Sequence, residues 1–279
     1  MIIINGRKIR DEILEDLKKQ ISALPFRPIF CDILIGDDPA SLQYVGMKNK
    51  TAEKIGIEVY PAKFHETITT EELLKEIRKI NKIERMSGLI AQLPLPAHID
   101  KDAILGAIDP MIDVDCIGQE NSGFFYGGKP RFVFPTALAV MHIIDFLNID
   151  LSKMNIAIIG KGDLVGRPVR QILLERGFDS KVIDRSTENV AELLQDADLI
   201  ISAAGRADIV KGGMVKEGAI VIDAGTSEFY GSIVGDVEFD SVSKVASVIS
   251  PVPGGVGPVT VAMLFKNVVE AAKTRSHSN

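Results

Sequence analysis

Short apolar runs alternate with amphipathic helical stretches in two successive series along this chain, and that rhythm fits parallel sheets covered by helices. In the first series Ile9, Ile13, Leu17, Ile21 and Leu24 recur every three or four residues and mark a helix. Pro25 and Pro28 close it before a predicted strand, Ile29–Ile35. Gly36-Asp37-Asp38-Pro39 then turns the chain into a second helix over 40–55. Strands are expected near 57–64 and 87–93, separated by a helix with Leu73, Leu74 and Ile77 on one face, and Pro94 and Pro96 stop the last of them. Glycine, proline and aromatic residues crowd 118–135 and exclude a long regular element, so the domain crossing is expected there. A helix from Pro135 to about Leu147 and strands near 155–159, 181–183, 198–203 and 219–223 form the second series. A last helix over 260–273 is expected to pack back on the first domain. The reading is an α/β fold of two domains, 1–134 with the C-terminal helix 258–279, and a Rossmann-like 135–257.

A chain of 279 residues, 46% hydrophobic and 25% charged, can bury two such cores. Its net charge of -6 and lack of a sustained basic run argue against nucleic-acid or membrane-surface binding, while leaving room for a small anion at a local basic site. No stretch is long and apolar enough to span a bilayer. Met1-Ile2-Ile3-Ile4 runs at once into Asn5-Gly6-Arg7-Lys8, so no secretory leader is expected and a cytoplasmic setting is. Cys31 and Cys116 form no C-x-x-C pair, and His65, His98, His142 and His277 lack metal-site spacing, so neither a disulfide nor a metal is expected. Cys31, inside an apolar run, reads as a small buried hydrophobe; Cys116, after an acidic cluster, could touch a site, with packing as its default.

Three features carry chemistry. Pro251-Val252-Pro253-Gly254-Gly255-Val256-Gly257-Pro258 cannot be regular structure, and it reads either as a rigid wall beside a ligand or as an ordinary helix-entry turn. The apolar strand 156–159 runs into Gly160-Lys161-Gly162-Asp163-Leu164-Val165-Gly166 and then a helix, the setting of a dinucleotide-binding fingerprint, although the spacing is one residue longer than G-x-G-x-x-G. Asp184 at the next strand end suits the free 2′-hydroxyl of NAD, whereas Arg185, Ser186 and Lys161 suit the 2′-phosphate of NADP. A bland alternative has Asp184 capping a helix over 187–194.

The third feature is a set of polar side chains in the first domain. Tyr44 and Lys48, four residues apart on the predicted second helix, share one face. A lysine beside a phenol in a partly buried site can act as a base or orient water, though such a pair is more often merely solvated. Gln92 projects an amide from the end of an apolar strand, where α/β folds bind ligands. Asp113-Val114-Asp115 offers acceptors to a heterocycle with paired N–H donors, or is simply a solvated loop.

Taken in order, Asp38-Pro39-Ala40-Ser41 with Tyr44 and Lys48, Gln92-Leu93-Pro94-Leu95-Pro96, Asp113-Val114-Asp115, Val165-Gly166-Arg167-Pro168, Val221-Ile222-Asp223-Ala224-Gly225, Gly235-Asp236-Val237 and the Pro251 loop resemble the bifunctional methylenetetrahydrofolate dehydrogenase/methenyltetrahydrofolate cyclohydrolase family over nearly the whole chain. The resemblance implies a folate cleft between the two domains, a homodimer and NADP, with NAD as the alternative. It also implies hydride transfer from 5,10-methylenetetrahydrofolate followed by hydrolysis to 10-formyltetrahydrofolate. Lys48 corresponds to the essential cyclohydrolase residue, Tyr44 to the ring stacking on folate, Gln92 to the partner of the lysine and Asp115 to the pterin anchor. Leu93, Pro251, Gly254 and Gly255 join the folate site; Gly160, Lys161, Gly162, Gly166, Arg185, Ser186 and Thr226 join the cofactor site. Two other readings stay open: a dehydrogenase without the cyclohydrolase step, and a non-catalytic dinucleotide-binding sensor on the same fold.

The chain departs from the family pattern in four places. The family usually reads Lys-Asp-Val-Asp-Gly where Ile112-Asp113-Val114-Asp115-Cys116 stands, and Pro-Cys-Thr-Pro where Phe134-Pro135-Thr136-Ala137 stands. Its Arg-Ser after the first cofactor-loop glycine is Lys161-Gly162 here, and its His or Ser at the next strand end is Asp184-Arg185. The first two would reshape the pterin pocket edge and the domain crossing; the last two bear on cofactor choice.

Overall fold

The computed structural model describes residues 1–229 and 232–276, and His277 lies outside them. The chain forms two compact units, Met1–Asp11 with Thr136–Thr260, and Glu12–Pro135 with Val261–Asn279.

The Glu12–Pro135 unit is built on a parallel three-stranded sheet in the order Glu58–Phe64, Ile29–Ile35, Met86–Ala91. Central Ile29–Ile35 is buried along its whole length, which is why it is apolar throughout rather than alternating. Asp32 is the exception, a charged residue 4% exposed. Helix Pro39–Ile55 starts where Asp38 accepts the Ser41 N–H and Pro39 fills a position whose missing donor costs nothing; Gly56, at φ 95°, ends it. A capping box of Thr69 and Glu72 opens Thr70–Ile80, which buries Leu73 and Ile77 in one core with Ile33, Met86 and Leu89.

Between Gly118 and Pro135 the structure holds an eight-residue helix, Gln119–Tyr126, in a stretch where glycines signalled only irregular backbone. Asn121 supplies the reason: its buried amide donates to the carbonyls of Pro110 and Asp113, so tertiary anchoring outweighs local propensity. Helix Val256–Ser276 runs past both ends of the expected 260–273. From it Phe265 meets Phe30 edge-on, with centroids 5.3 Å apart.

The Thr136–Thr260 unit carries a parallel six-stranded sheet in the order Ile2–Ile3, Val248–Ile249, Ile220–Asp223, Leu199–Ser202, Ile156–Ile159, Lys181–Ile183. Residues 1–11, expected in the first domain, belong to this unit, because Ile2 and Ile3 pair in parallel with Val248 and Ile249. Two hydrophobes carry no information about which sheet edge they will join.

Gly160, at φ 96°, has no room for a side chain: a Cβ would lie 2.4 Å from the Ala203 carbonyl oxygen. Gly160→Ala therefore combines a left-handed backbone, about 1 to 2 kcal/mol, with overpacking, about 1 to 3 kcal/mol. Thermal denaturation should show a fall in Tm of roughly 5 °C or more. A fall below about 2 °C would mean that the loop yields at little cost.

Candidate functional site

In the Glu12–Pro135 unit, Tyr44 and Lys48 project from one face of Pro39–Ile55, as their spacing requires, and Lys48 is 3% exposed. Its Nζ lies 4.9 Å from the Tyr44 ring centroid and donates to Gln92 Oε1 at 2.8 Å. Gln92, just past the strand Met86–Ala91, is oriented by its other end: Nε2 donates to the Leu93 carbonyl at 2.7 Å. The structure thus joins Tyr44, Lys48, Gln92 and the Leu93 backbone. Tyr44, 37% exposed, keeps part of its ring open. Gln92 also lines a cavity of about 720 Å³ with Leu34, Gly36, Ser41 and Pro94.

Asp32 completes the cluster, and sequence reasoning missed it. Its Oδ2 is 2.6 Å from Lys48 Nζ, with both side chains buried. Burial pushes the carboxyl up to about 6; Lys48 opposes that rise and Asp115 adds to it. A signal was present: Asp32 is the one charged residue in the predicted strand, and a buried charge calls for a partner.

The two loop acids divide. Asp113, 2% exposed, turns inward, accepting the Gly118 N–H at 3.0 Å and the Asn121 amide at 3.2 Å, and burial pushes it up to about 6. It shapes the loop. Asp115 is half-buried and also raised by desolvation, with Lys48 acting against the rise. Asn267 holds this loop from the C-terminal helix, donating to the Val114 and Val133 carbonyls at 2.8 Å each. Cys116 packs inside at φ 62°, a conformation suited to glycine, with its thiol donating to the Phe132 carbonyl. Cys31 is buried as expected.

In the Thr136–Thr260 unit, Gly160, Gly162 and Gly166 lie between strand Ile156–Ile159 and the N-terminus of helix Gly166–Glu175. A Cβ on Gly166 would collide with the Gly160 carbonyl, whereas Gly162 faces open space. Lys161 and Ser186, expected to serve a 2′-phosphate, are drawn to Asp184. Lys161 Nζ is 2.6 Å from Asp184 Oδ2 and the Ser186 hydroxyl donates to Oδ1 at 2.6 Å, which together hold Asp184 well below the usual carboxylate range. The helix expected over 187–194 is Val190–Gln195, with Asn189 at its N-cap, so Asp184 does not cap it. Arg185 is exposed with no ion pair among the described residues, and Thr226 is exposed beyond strand Ile220–Asp223.

Pro251, Gly254 and Gly255 lie in this same unit, where Gly255 N–H donates to the Pro251 carbonyl at 2.8 Å and the turn leads into helix Val256–Ser276. The close approach that demands glycine is internal: a Cβ on Gly6 would lie 1.7 Å from the Gly255 carbonyl oxygen. No group of three or more His, Cys, Asp or Glu side chains able to hold a metal occurs among the described residues. No helix among them is long and apolar enough to cross a membrane.

Residues 4–115 match the catalytic domain of tetrahydrofolate dehydrogenase/cyclohydrolase, and residues 135–276 match its NAD(P)-binding domain. The bifunctional protein FolD of Acetivibrio thermocellus is 40% identical over 278 residues, 98% of each chain. A crystal structure of the bifunctional FolD from Campylobacter jejuni is 41% identical, covers 99% of both chains and superposes with a TM-score of 0.94. The Trypanosoma brucei methylenetetrahydrofolate dehydrogenase-cyclohydrolase, solved with NADP and an inhibitor, is 34% identical over 98% of each chain with a TM-score of 0.92. With agreement of this extent along both units, the chain belongs to the tetrahydrofolate dehydrogenase/cyclohydrolase family.

Proposed function

We propose that this protein oxidises 5,10-methylenetetrahydrofolate with NADP and hydrolyses the 5,10-methenyl product to 10-formyltetrahydrofolate. The observation that carries the reading is Lys48, an amine 3% exposed and aligned on Gln92 beside an aromatic ring that stays partly open. Burying a charge is expensive, and one held in a preorganised frame is a mark of chemistry. The bifunctional relatives support both steps.

In this reading the Glu12–Pro135 unit holds folate and the Thr136–Thr260 unit holds the dinucleotide. Tyr44 stacks on the pterin and Asp115 accepts its paired N–H groups. Leu93 lines the folate. Lys48, steadied by Gln92, directs water onto the methenyl carbon. The residues of the glycine loop fit a dinucleotide: Gly160 and Gly166 close a tight turn at a helix N-terminus, and Gly162 leaves space for backbone approach. Gly160, Lys161, Gly162, Gly166, Arg185, Ser186 and Thr226 would hold NADP, which supplies the hydride acceptor. The homodimer and the cytoplasmic setting belong to the same reading.

Titrating the purified protein with methylenetetrahydrofolate and each nicotinamide cofactor tests it. Reduced cofactor, methenyl absorbance and formyl product are expected together. Reduced cofactor without formyl product would leave a dehydrogenase alone; dinucleotide binding without either would leave a sensor.

Cofactor choice turns on Arg185, the exposed cation of this strand end, since Lys161 and Ser186 must be released from Asp184 before they can serve a phosphate. Arg185→Ala should raise the KM for NADP ten- to a hundredfold more than that for NAD, the equivalent of about 1.5 to 3 kcal/mol of charged hydrogen bonding. A wild type that prefers NAD, or equal damage to both cofactors, would make Asp184 the ribose ligand instead.

A further inference from the structure

We propose that Asp32 is a positioning residue for the cyclohydrolase step, its buried charge holding the Lys48 ammonium against Gln92 where it meets the attacking water or the folate. The inference rests on the two-step reading above. An ammonium has three protons and no acceptor. Gln92 Oε1 takes one at 2.8 Å, and Asp32 Oδ2 stands 2.6 Å from the same nitrogen as its ion-pair partner. A lysine held by Gln92 alone could swing about its long stem; the buried Asp32 charge beside it restrains that swing, and positioning of this kind is a large part of catalysis.

The surroundings make Asp32 depend on Lys48. Pro61 and Ile90 stand opposite it on the flanking strands, and neither titrates. Cys31 is its neighbour along the strand, Tyr44 and Lys48 face it from helix Pro39–Ile55, and Asp115 acts on it from the loop. Lys48 is the one cation among these groups. Neither Asp32 oxygen has a hydrogen-bond partner among the described residues, so the ion pair with Lys48 is what compensates the carboxylate.

The pH dependence follows with a definite sign. Burial raises Asp32 to about 6, so the carboxylate is charged above that pH and takes up a proton below it. Protonation removes the negative charge that fixes Lys48, so the hydrolytic rate should fall as pH drops through about 6. Hydride transfer leaves the methenyl carbon without a proton step at Lys48, and it should not share this limb.

The test is the pH profile of methenyl hydrolysis between pH 5 and 8, corrected for spontaneous hydrolysis, in wild type and Asp32→Asn. Wild type should show the acid limb. Asp32→Asn, close in size and neutral at every pH, should lose the limb and run at least about tenfold slower at pH 7 while keeping hydride transfer. A wild-type rate that is flat across pH 6 overturns the proposal even if the variant does not fold. So does an Asp32→Asn protein with the wild-type rate and profile. If wild type forms no formyl product at any pH, the two-step reading falls and this inference with it; formyl product with a flat profile sinks the role of Asp32 alone.

Discussion

Lys48→Met should lose methenyl hydrolysis by roughly 10² to 10⁴ in rate while folate binding stays measurable, because in the proposed site the amine is the group that meets the attacking water. Methionine keeps most of the lysine volume, so the Tyr44 ring and Gln92 keep an apolar neighbour. The substitution has a second effect that can be read separately. It removes the cation beside Asp32, and breaking a buried ion pair is worth about 3 to 5 kcal/mol when the remaining charge stays charged. Asp32 can escape most of that penalty by taking a proton, since burial already holds it near 6. A loss of Tm that grows as pH rises from 6 to 8 is therefore expected alongside the lost activity. The direction follows from linkage: with Lys48 gone, the folded state binds the Asp32 proton more tightly than the unfolded state, whose carboxyl titrates near 4, so stability falls as pH rises through the folded value. Hydride transfer should survive in part. A cyclohydrolase rate within about tenfold of wild type would remove Lys48 from the mechanism.

Asp115→Asn should weaken folate binding by one to two decades, the equivalent of about 1.5 to 3 kcal/mol for one partner of a charge-assisted pair. The substitution is nearly isosteric and leaves the loop in place, because the anchors are elsewhere: Asp113 on Gly118 and Asn121, and Asn267 on the carbonyls of Val114 and Val133. In the proposed site one oxygen becomes a donor, which would face the pterin N–H groups with the wrong polarity. Desolvation makes ionised Asp115 costly, so N–H donors supplied by a folate would stabilise its charged form. Direct titration with a folate decides the matter. An unchanged Kd and unchanged kinetics would reduce Asp115 to a loop acid with no ligand.

How much of this was legible in the residues depends on the range of the interaction. The strand Ile29–Ile35 and the face shared by Tyr44 and Lys48 were readable because periodicity is local. Gln92 was readable as a polar residue at a strand end. Helix Gln119–Tyr126 was not, because its glycines argue against it and the buried amide of Asn121 argues for it only once Pro110 and Asp113 are alongside. The cofactor end shows the same limit in the other direction: Lys161, Ser186 and Arg185 read alike as phosphate ligands, yet two of the three are bound to Asp184, while Arg185 makes no ion pair among the described residues.

The sequence by itself determined the alternation of strands and helices in both units, the glycine turn before the helix at Gly166, and the family, since each depends on residue type and spacing within a short window. Only the tertiary structure decided that Ile2 and Ile3 close the edge of the six-stranded sheet beside Val248 and Ile249, that Asp113 faces inward while Asp115 stays half-open, and that Asp32 lies 2.6 Å from Lys48. The physical reason is that such contacts join residues distant in the chain. Hydrophobic pattern sets which face of an element is buried, but packing between elements sets which polar atoms then meet, and a buried charge finds its partner only after the helix has docked on the strand.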